Sequence, residues 1–276
     1  MNFMRRDVLT LEQVRAAAPS VFADRPWEGV SHRYSFIPTI SVMESLLIEG
    51  WNITDARQQR VLLQDKTNFT RHILRFRHND GLALHVGDLF PEVVLINSHD
   101  RGSAYQMHAG LYRLICSNGL VVDDGTFERL SIRHSGRVID DVRQGADNII
   151  QEVPRILTDV KNMQVIELAQ NEREVFAKAA LALRFDDSVS VQPYQALAPK
   201  RYGDGNTDLW TTFNVIQENV MRGGLSYTIP KHTNEEGIRV PARRATTRQV
   251  KSIREDTKLN KALWTLAEEM KRLKSN

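Results

Sequence analysis

The stretch TRHILRFRHNDG, residues 70–81, alternates apolar and basic residues and gives the clearest strand signal in the chain. Successive side chains of a β-strand point to opposite faces, so every second residue shares a face. Leu74 and Phe76 fall on one of these faces. The opposite face holds Arg71, Arg75 and Arg77. We therefore predict a strand with a basic, solvent-facing side above an apolar side that faces the core.

The neighbouring segments predict that this strand belongs to an antiparallel sheet. Asn79-Asp80-Gly81 is a hairpin turn signal, and residues 82–88 are the predicted return strand. The segment EVVLIN at 92–97 is a further strand. FERLSIRH at 127–134 repeats the alternation and places Arg129 and Arg133 on its polar side. These two basic faces either bind an anionic ligand or are ordinary charged, solvated sheet surface.

Helical periodicity dominates the sequence on both sides of this sheet. Residues 7–22 predict an amphipathic helix that ends at Pro19, and residues 39–51 predict another that ends at Gly50. Beyond residue 140 the pattern is helical almost throughout, with Pro154 as a kink or a break.

A loop rich in turn-forming residues, 186–208, divides the C-terminal half. Asp208 is placed to cap a helix that Gly223-Gly224 would end, and an amphipathic helix closes the chain. The polar cluster at 217–219 of the first of these helices is either a structural network or a recognition surface.

Together these patterns predict an α+β fold, in which a twisted antiparallel sheet with packed helices precedes a mainly helical C-terminal half. The predicted divisions are an N-terminal helical segment at 1–33, a sheet core at 34–140 and a helical region at 141–276 with a basic loop near 231–254.

The segment at 96–120, INSHDRGSAYQMHAGLYRLICSNGL, concentrates polar turn residues, a basic-aromatic stretch and the single cysteine. We predict a polar turn at 97–102, in which Asn97 or Asp100 bonds the backbone two residues further on. Residues 104–119 are predicted to form a helix that packs on the sheet. The turn could contact a phosphate or could buttress the sheet.

Charge is distributed unevenly along the chain. The whole chain carries a formal net charge of +3, whereas residues 231–276 alone hold 12 Lys or Arg against 6 Asp or Glu. A basic segment on a near-neutral body is typical of proteins with an anionic partner, most often nucleic acid, although it can also be a solvated tail. We find no apolar window long enough to span a membrane and no secretory signal.

Motifs for catalysis or for cofactor binding are missing from the sequence. There is no GxSxG, GxGxxG or GxxxxGK[ST] pattern, and no histidine pair has zinc-ligand spacing. Cys116 lies in an apolar stretch, which indicates core packing. We therefore expect no cofactor, no metal and no catalytic residue. A metal-assisted hydrolase that uses His85, His99 and His108 is the third reading, because these three could converge in space.

Several motifs together resemble one family. They are SFIPT, HILRFR, PEVVLINSHDRGSAYQMHAGLYRLICSNGLVV, IRHSG, LWTTFNVIQENVMRGG and LNKALWTLAEEM. In order and spacing they resemble the phage- and plasmid-related proteins catalogued as domain of unknown function 932. That resemblance implies a bacterial cytosol and nucleic-acid handling for a mobile element. Residues 38–135 also resemble, at the level of the fold, the Red-beta and RecT single-strand annealing proteins, which form rings or filaments and bind DNA by its backbone.

Our leading hypothesis is a non-enzymatic, oligomeric protein that binds single-stranded DNA and anneals or protects it. The residues predicted to contact nucleic acid are Arg71, Arg75, Arg77, Arg129, Arg133, Lys200, Arg201, Tyr202, Arg243, Arg244 and Arg248. The alternative is a protein-interaction factor, such as an inhibitor of host defence, that presents the helix at 210–224 and the C-terminal helix to a host protein.

Overall fold

A computed structural model describes residues 8–30, 34, 36–78, 89–113, 118–121, 138–186, 189–229, 231–233 and 239–275. The chain divides into two compact units, Met1–Leu157 and Thr158–Asn276. We call them the N-terminal and C-terminal units. Among the described residues, no helix combines the length and the apolar character needed to cross a membrane.

The N-terminal unit is built on a five-stranded antiparallel sheet in which each strand pairs with the next one along the chain. Its strands are β1 (Trp51–Gln58), β2 (His72–His78), β3 (Leu89–Asn97), β4 (Gln106–Arg113) and β5 (Asn118–Val121). The predicted strands at 70–81 and 92–97 are therefore confirmed, and the fold is α+β as expected.

Two helices contact β1 of this sheet. The first, α1 (Leu11–Ala17), begins with a capping box in which Thr10 and Gln13 bond each other's backbone N–H groups. The second, α2 (Thr39–Ile48), buries Val42, Met43 and Leu46. Gly50 has a φ of 88°, the left-handed conformation that ends a helix at low cost in glycine.

The prediction of a helix over 104–119 is wrong, because this segment supplies β4 and β5. Strand β4 pairs with β3 in continuous register from Ile96↔Gln106 to Leu89↔Arg113. Met107 and Ala109 are buried on the same face of β4, as a period of two requires. Local propensity is a weak prior, and here pairing with the neighbouring strand overrides it.

Helices make up most of the C-terminal unit. They are the last residues of α3 (Val138–Gln164), most of which belongs to the N-terminal unit, followed by α4 (Gln170–Arg184), the single turn α5 (Pro193–Ala196), α6 (Leu209–Arg222) and α7 (Ile253–Lys274). Helix α3 runs through Pro154 without a break. Short antiparallel ribbons pair β6 (Ser226–Ile229) with β9 (Arg243–Thr246), and β7 (His232–Thr233) with β8 (Arg239–Val240).

Helices α6 and α7 share an aromatic core. Trp210 stacks on Phe213 with ring centroids 5.6 Å apart, and Trp264 of α7 meets the Phe213 ring edge-on at 6.0 Å. The Asp208 carboxylate accepts a hydrogen bond of 2.8 Å from the Thr211 backbone N–H, which confirms the predicted cap. These contacts set the orientation of α6, which carries the polar residues described below.

Helix α6 ends at Gly223, as the sequence predicts. Gly223 has φ 73° and ψ −153°, a region of backbone conformation that glycine alone adopts readily. The chain then passes close to the residues before α7, since the Gly224 N–H donates to the Thr247 carbonyl at 2.8 Å. A side chain at Gly223 would lie only 2.6 Å from the Arg248 carbonyl group.

We expect Gly223→Ala to lower the free energy of unfolding by roughly 3 kcal/mol, because it combines backbone strain with a clash against fixed backbone atoms. Gly224→Ala is the matched control. Gly224 also has a positive φ, 80°, but a side chain there would meet nothing within 4 Å. Urea denaturation of both variants measures the difference, and equal losses would contradict the close approach at Gly223.

Candidate functional site

The polar face of the sheet carries a buried ion network rather than a solvated basic surface. The Arg75 side chain is 3% exposed, and its Nη1 donates to Glu92 Oε2 at 2.9 Å. Glu92 is fully buried and also accepts a 3.2 Å hydrogen bond from Thr54 Oγ1. A buried charge must be paired to be tolerated, and Glu92 of the neighbouring strand neutralises Arg75.

Arg77 of β2 and Arg71, which directly precedes this strand, also bond to groups within the fold. Arg77 Nε donates to Glu92 Oε1 at 2.8 Å, and Arg71 donates to the backbone carbonyl of Gly102. The prediction that Arg75 faces solvent is wrong, because Ile73 and Val94 on the same face are buried with it. Arg77 shares this network, so neither residue projects as a free cation.

The second predicted basic strand lies outside the described residues. This applies to the segment 127–134 with Arg129 and Arg133, and to the predicted hairpin at 79–88 with His85. Cys116 is also outside the described residues. Their proposed roles remain predictions.

The opposite face of the sheet holds a buried histidine cluster around the hydroxyl of Thr39. Thr39 Oγ1 lies 2.8 Å from His72 Nε2 and 3.3 Å from His99 Nε2, and it accepts a 3.0 Å bond from Asn97 Nδ2. His72 Nδ1 lies 3.0 Å from the Thr70 carbonyl, to which it can donate. The first residue of α2 is thereby fastened to the ends of β2 and β3.

Both histidines are held in the neutral form. Burial, followed by repulsion from His99, lowers the pKa of His72 to about 3. Burial likewise lowers the pKa of His99 to about 4. His99 Nδ1 has no partner of good hydrogen-bond geometry among the described residues, although the nearby Ser20 carbonyl partly favours its protonation. The cluster therefore acts as a neutral structural network at physiological pH.

The polar groups of the turn after β3 form hydrogen bonds mainly within the turn and with neighbouring segments of the N-terminal unit. Asp100 Oδ1 accepts from the Gly102 N–H at 2.8 Å, which confirms the predicted bond two residues on. Ser98 Oγ accepts from the Ser103 N–H at 2.7 Å, and the Tyr34 hydroxyl donates to the Ser98 carbonyl at 2.9 Å. Asn97, Ser98 and His99 are buried. Of the two readings of this turn, these contacts favour the buttress.

The structure separates two of the histidines named for a metal site. His99 contacts His72, with ring centroids 5.2 Å apart, on the face covered by α2. His108 is paired with Val94 on the opposite face of the sheet. In the part of the chain that the structure describes, no three His, Cys, Asp or Glu side chains converge closely enough to hold a metal ion.

In the C-terminal unit, Arg201 is committed to an internal ion pair. Its two terminal nitrogens donate to the two carboxylate oxygens of Glu218 at 2.6 and 2.7 Å, and Nη1 also lies 3.1 Å from Asp204. The bonds to Glu218 raise the pKa of Arg201 above its usual value. Burial alone would raise the pKa of Glu218, but hydrogen bonds from Arg201 hold it below its usual value. Arg201, which we predicted to contact the nucleic-acid backbone, is therefore paired with carboxylates of its own unit.

The polar cluster of α6 is a structural network. Asn219 Nδ2 donates to the carbonyls of Ala196 and Ala198, each at 2.9 Å. Gln217 Nε2 donates to Asn260 of α7 at 2.7 Å. Together with Glu218, these buried side chains fasten the loop between α5 and α6 and join α6 to α7. Of the two interpretations of this cluster, a structural network or a recognition surface, these contacts favour the structural network.

The remaining predicted cations of the C-terminal unit are exposed. Lys200, Arg243, Arg244 and Arg248 lie on its surface, and Tyr202 is fully exposed beside Arg201. No described carboxylate lies within ion-pair distance of these four cations. Arg244 is paired with Thr228 on the face of the β6–β9 ribbon whose side chains are all exposed.

A depression of about 560 Å³ lies at the start of α7. Arg248, Gln249, Lys251, Ser252 and Glu255 line it. Ser252 caps the helix by accepting from the Glu255 N–H at 3.4 Å, so the positive end of the helix dipole lies here. The half-buried Arg184 guanidinium donates a hydrogen bond to the backbone carbonyl of Arg248. Lys251 was not among the residues predicted to contact nucleic acid, although the predicted basic loop near 231–254 contains it.

Fold and surface together define an α+β protein in which Arg75 and Arg77 of the N-terminal sheet are paired with a buried Glu92. Its C-terminal unit exposes cations that have no described carboxylate within ion-pair distance. The chain matches the family described as "Domain of unknown function (DUF932)" over residues 26–264 and belongs to that family.

Two relatives come from Escherichia coli strain K12. The chain is 39% identical over 269 residues to the UPF0380 protein YafZ and, at the same identity and length, to the UPF0380 protein YfjQ. Each alignment covers 97% of this chain and 93% of the relative. No solved structure gives a significant match.

Removing the Glu92 charge should destabilise the N-terminal unit strongly. Glu92→Gln leaves the buried Arg75 guanidinium without its counter-charge, and we expect a loss of about 3–5 kcal/mol in the free energy of unfolding. Asp55→Asn is the control, since Asp55 is more than a third exposed and lies 4.0 Å from Arg75 Nε. That change should cost at most about 1 kcal/mol. Similar losses in urea denaturation would contradict the internal role of Glu92.

The histidine cluster should make stability fall in mild acid. The pKa values of His72 and His99 are lower in the folded chain than in the unfolded chain, so the unfolded state binds more protons below pH 6.5. Their stabilising contribution is complete above about pH 6.5 and is lost as the pH falls towards their folded values.

We expect each histidine to lower the free energy of unfolding by about 2 kcal/mol between pH 7 and pH 5. The measurement is urea denaturation at both pH values, with His72→Gln as the comparison because it cannot titrate. The variant should lose about half of this pH dependence. An unchanged dependence would show that His72 is not the titrating group.

Proposed function

We propose that this chain is a non-enzymatic single-stranded DNA-binding protein of a phage or mobile element, which anneals or protects strands as a homo-oligomer in the bacterial cytosol. The observation that carries the proposal is a set of exposed cations in the C-terminal unit with no described carboxylate within ion-pair distance: Lys200, Arg243, Arg244, Arg248 and Lys251. Long, flexible cations of this kind neutralise phosphates and release counterions from the nucleic acid.

The proposed interface is narrower than the sequence alone suggested. Arg75, Arg77 and Arg201 are excluded from it because each is bound to an internal carboxylate. The cations that remain in the proposed interface lie on or near the β6–β9 ribbon and the depression at the start of α7. Arg244 and Arg248 are four residues apart, and the intervening Thr247 is bonded to Gly224 and Leu225, which fixes the backbone between them.

The alternative function, a host-protein inhibitor, requires an exposed surface on α6 and on the C-terminal helix. Every residue of α6 from Leu209 to Met221 is buried, so this helix has no exposed face to offer a partner. The C-terminal helix retains exposed residues in its last turn, where Arg272 is ion-paired with Glu269 at 2.7 Å and the apolar Leu273 is 63% exposed. An isolated exposed apolar residue is common on protein surfaces, so Leu273 does not by itself indicate a protein partner.

The test is fluorescence anisotropy of a labelled single strand of ~40 nucleotides between ~50 and ~200 mM salt. Affinity should fall steeply with salt. The double variant Arg244→Ala/Arg248→Ala should reduce the slope of log affinity against log salt by about 1.4, since each lost phosphate contact on a single strand contributes about 0.7.

The control is Arg272→Ala/Lys274→Ala, which removes the same charge from the other end of α7. The helix has 22 residues, so its ends lie about 33 Å apart. The control should keep the wild-type slope. Equal losses in the two double variants would point to net charge alone, and binding that ignores salt would overturn the proposal.

A further inference from the structure

Two tyrosines in the C-terminal unit are exposed to a degree unusual for large aromatic side chains. Tyr194 lies on α5 and is 69% exposed, and Tyr202, in the short turn Tyr202–Asp204, is fully exposed. Neither ring makes a described contact with another aromatic ring or a cation. An exposed tyrosine ring is available to pack against a partner, and tyrosine is enriched at binding interfaces.

The loop that carries these tyrosines is fastened at both of its ends. At one end, Asn219 of α6 binds the carbonyls of Ala196 and Ala198. At the other end, the Glu218 carboxylate accepts two short hydrogen bonds from the guanidinium of Arg201. Consecutive buried residues of α6 therefore hold the backbone next to each ring, and binding would not have to order a flexible loop.

The same loop adjoins the cationic surface. Gln195 bonds the Ser226 backbone in both directions, donating to its carbonyl at 2.8 Å and accepting from its N–H at 2.7 Å. Ser226 is paired with Thr246 of β9, which lies two residues from Arg244 and two from Arg248. Tyr194 is thus attached to the ribbon that presents the proposed phosphate-binding side chains, and Lys200 precedes the Arg201–Tyr202 pair.

We infer that Tyr194 and Tyr202 are base-stacking residues and that Arg201, Glu218 and Asn219 are positioning residues for them. This inference rests on the proposed function and specifies its ligand. An exposed ring can stack only on a base that has left the duplex, whereas cations alone bind the phosphates of either form. The tyrosines would therefore give the protein its preference for single strands, and the cations would give it affinity.

The experiment compares two single strands of equal length and charge, oligo(dT) and an abasic strand that has the same phosphates but no bases. The full chain should bind oligo(dT) more tightly. Tyr194→Ala/Tyr202→Ala should reduce the affinity for oligo(dT) by about tenfold for each ring, towards the abasic value. Its affinity for the abasic strand and its salt slope should not change, because no cation is lost.

The matched control is Tyr194→Phe/Tyr202→Phe, which keeps both rings and should keep the preference for oligo(dT). Thermal melting of each variant should be close to wild type because both side chains are exposed. Equal binding of the two strands by the wild type, with a normal salt slope, would overturn the stacking inference and leave the proposed function standing. Absence of binding to either strand would overturn both.

Discussion

Both faces of the neighbouring strands β2 and β3 are buried over residues 72–76 and 92–97, and this constraint determines which of their polar groups are able to meet a ligand. On one face the Thr39 hydroxyl joins α2 to His72, His99 and Asn97. On the other face the Glu92 carboxylate accepts hydrogen bonds from both Arg75 and Arg77. Each polar group taken into this interior needs a partner there, because an unpaired buried charge costs several kcal/mol. Arg75 and Arg77, which look like binding groups in the sequence, are consequently paired within the fold.

The sequence predicts the elements better than it predicts their surroundings. The alternation in β2, the cap at Asp208 and the glycine that ends α6 are local signals, and the structure confirms each of them. The strand β4 was misassigned because its residues fit a helical pattern and only pairing with β3 decides otherwise. Likewise Glu92 lies 17 residues from Arg75, and Glu218 lies 17 residues from Arg201. The sequence pattern identifies the arginine, but it does not indicate which distant carboxylate the fold places beside it.

Helix α6 shows how buried polar residues shape a surface without belonging to it. Gln217 ties the helix to α7, while Glu218 and Asn219 fix the loop at 196–201 that leads into the exposed Tyr202. Buried hydrogen-bond networks of this kind rigidify a structure when every member is satisfied. Rigidity is useful next to a binding surface, because side chains presented on a fixed backbone lose less entropy when a ligand arrives.

Whether an arginine is paired within the fold or left in water follows from where it lies relative to an acidic residue. In β2 the arginines alternate onto a face that β1 and β3 supply with Asp55 and Glu92, so their charge is consumed internally. On the β6–β9 ribbon the partners in register with Arg243 and Arg244 are Ile229 and Thr228, which bear no charge. A two-stranded ribbon also has too little depth to bury a long cationic side chain. Its arginines stay in water, and their fields remain available to a polyanion.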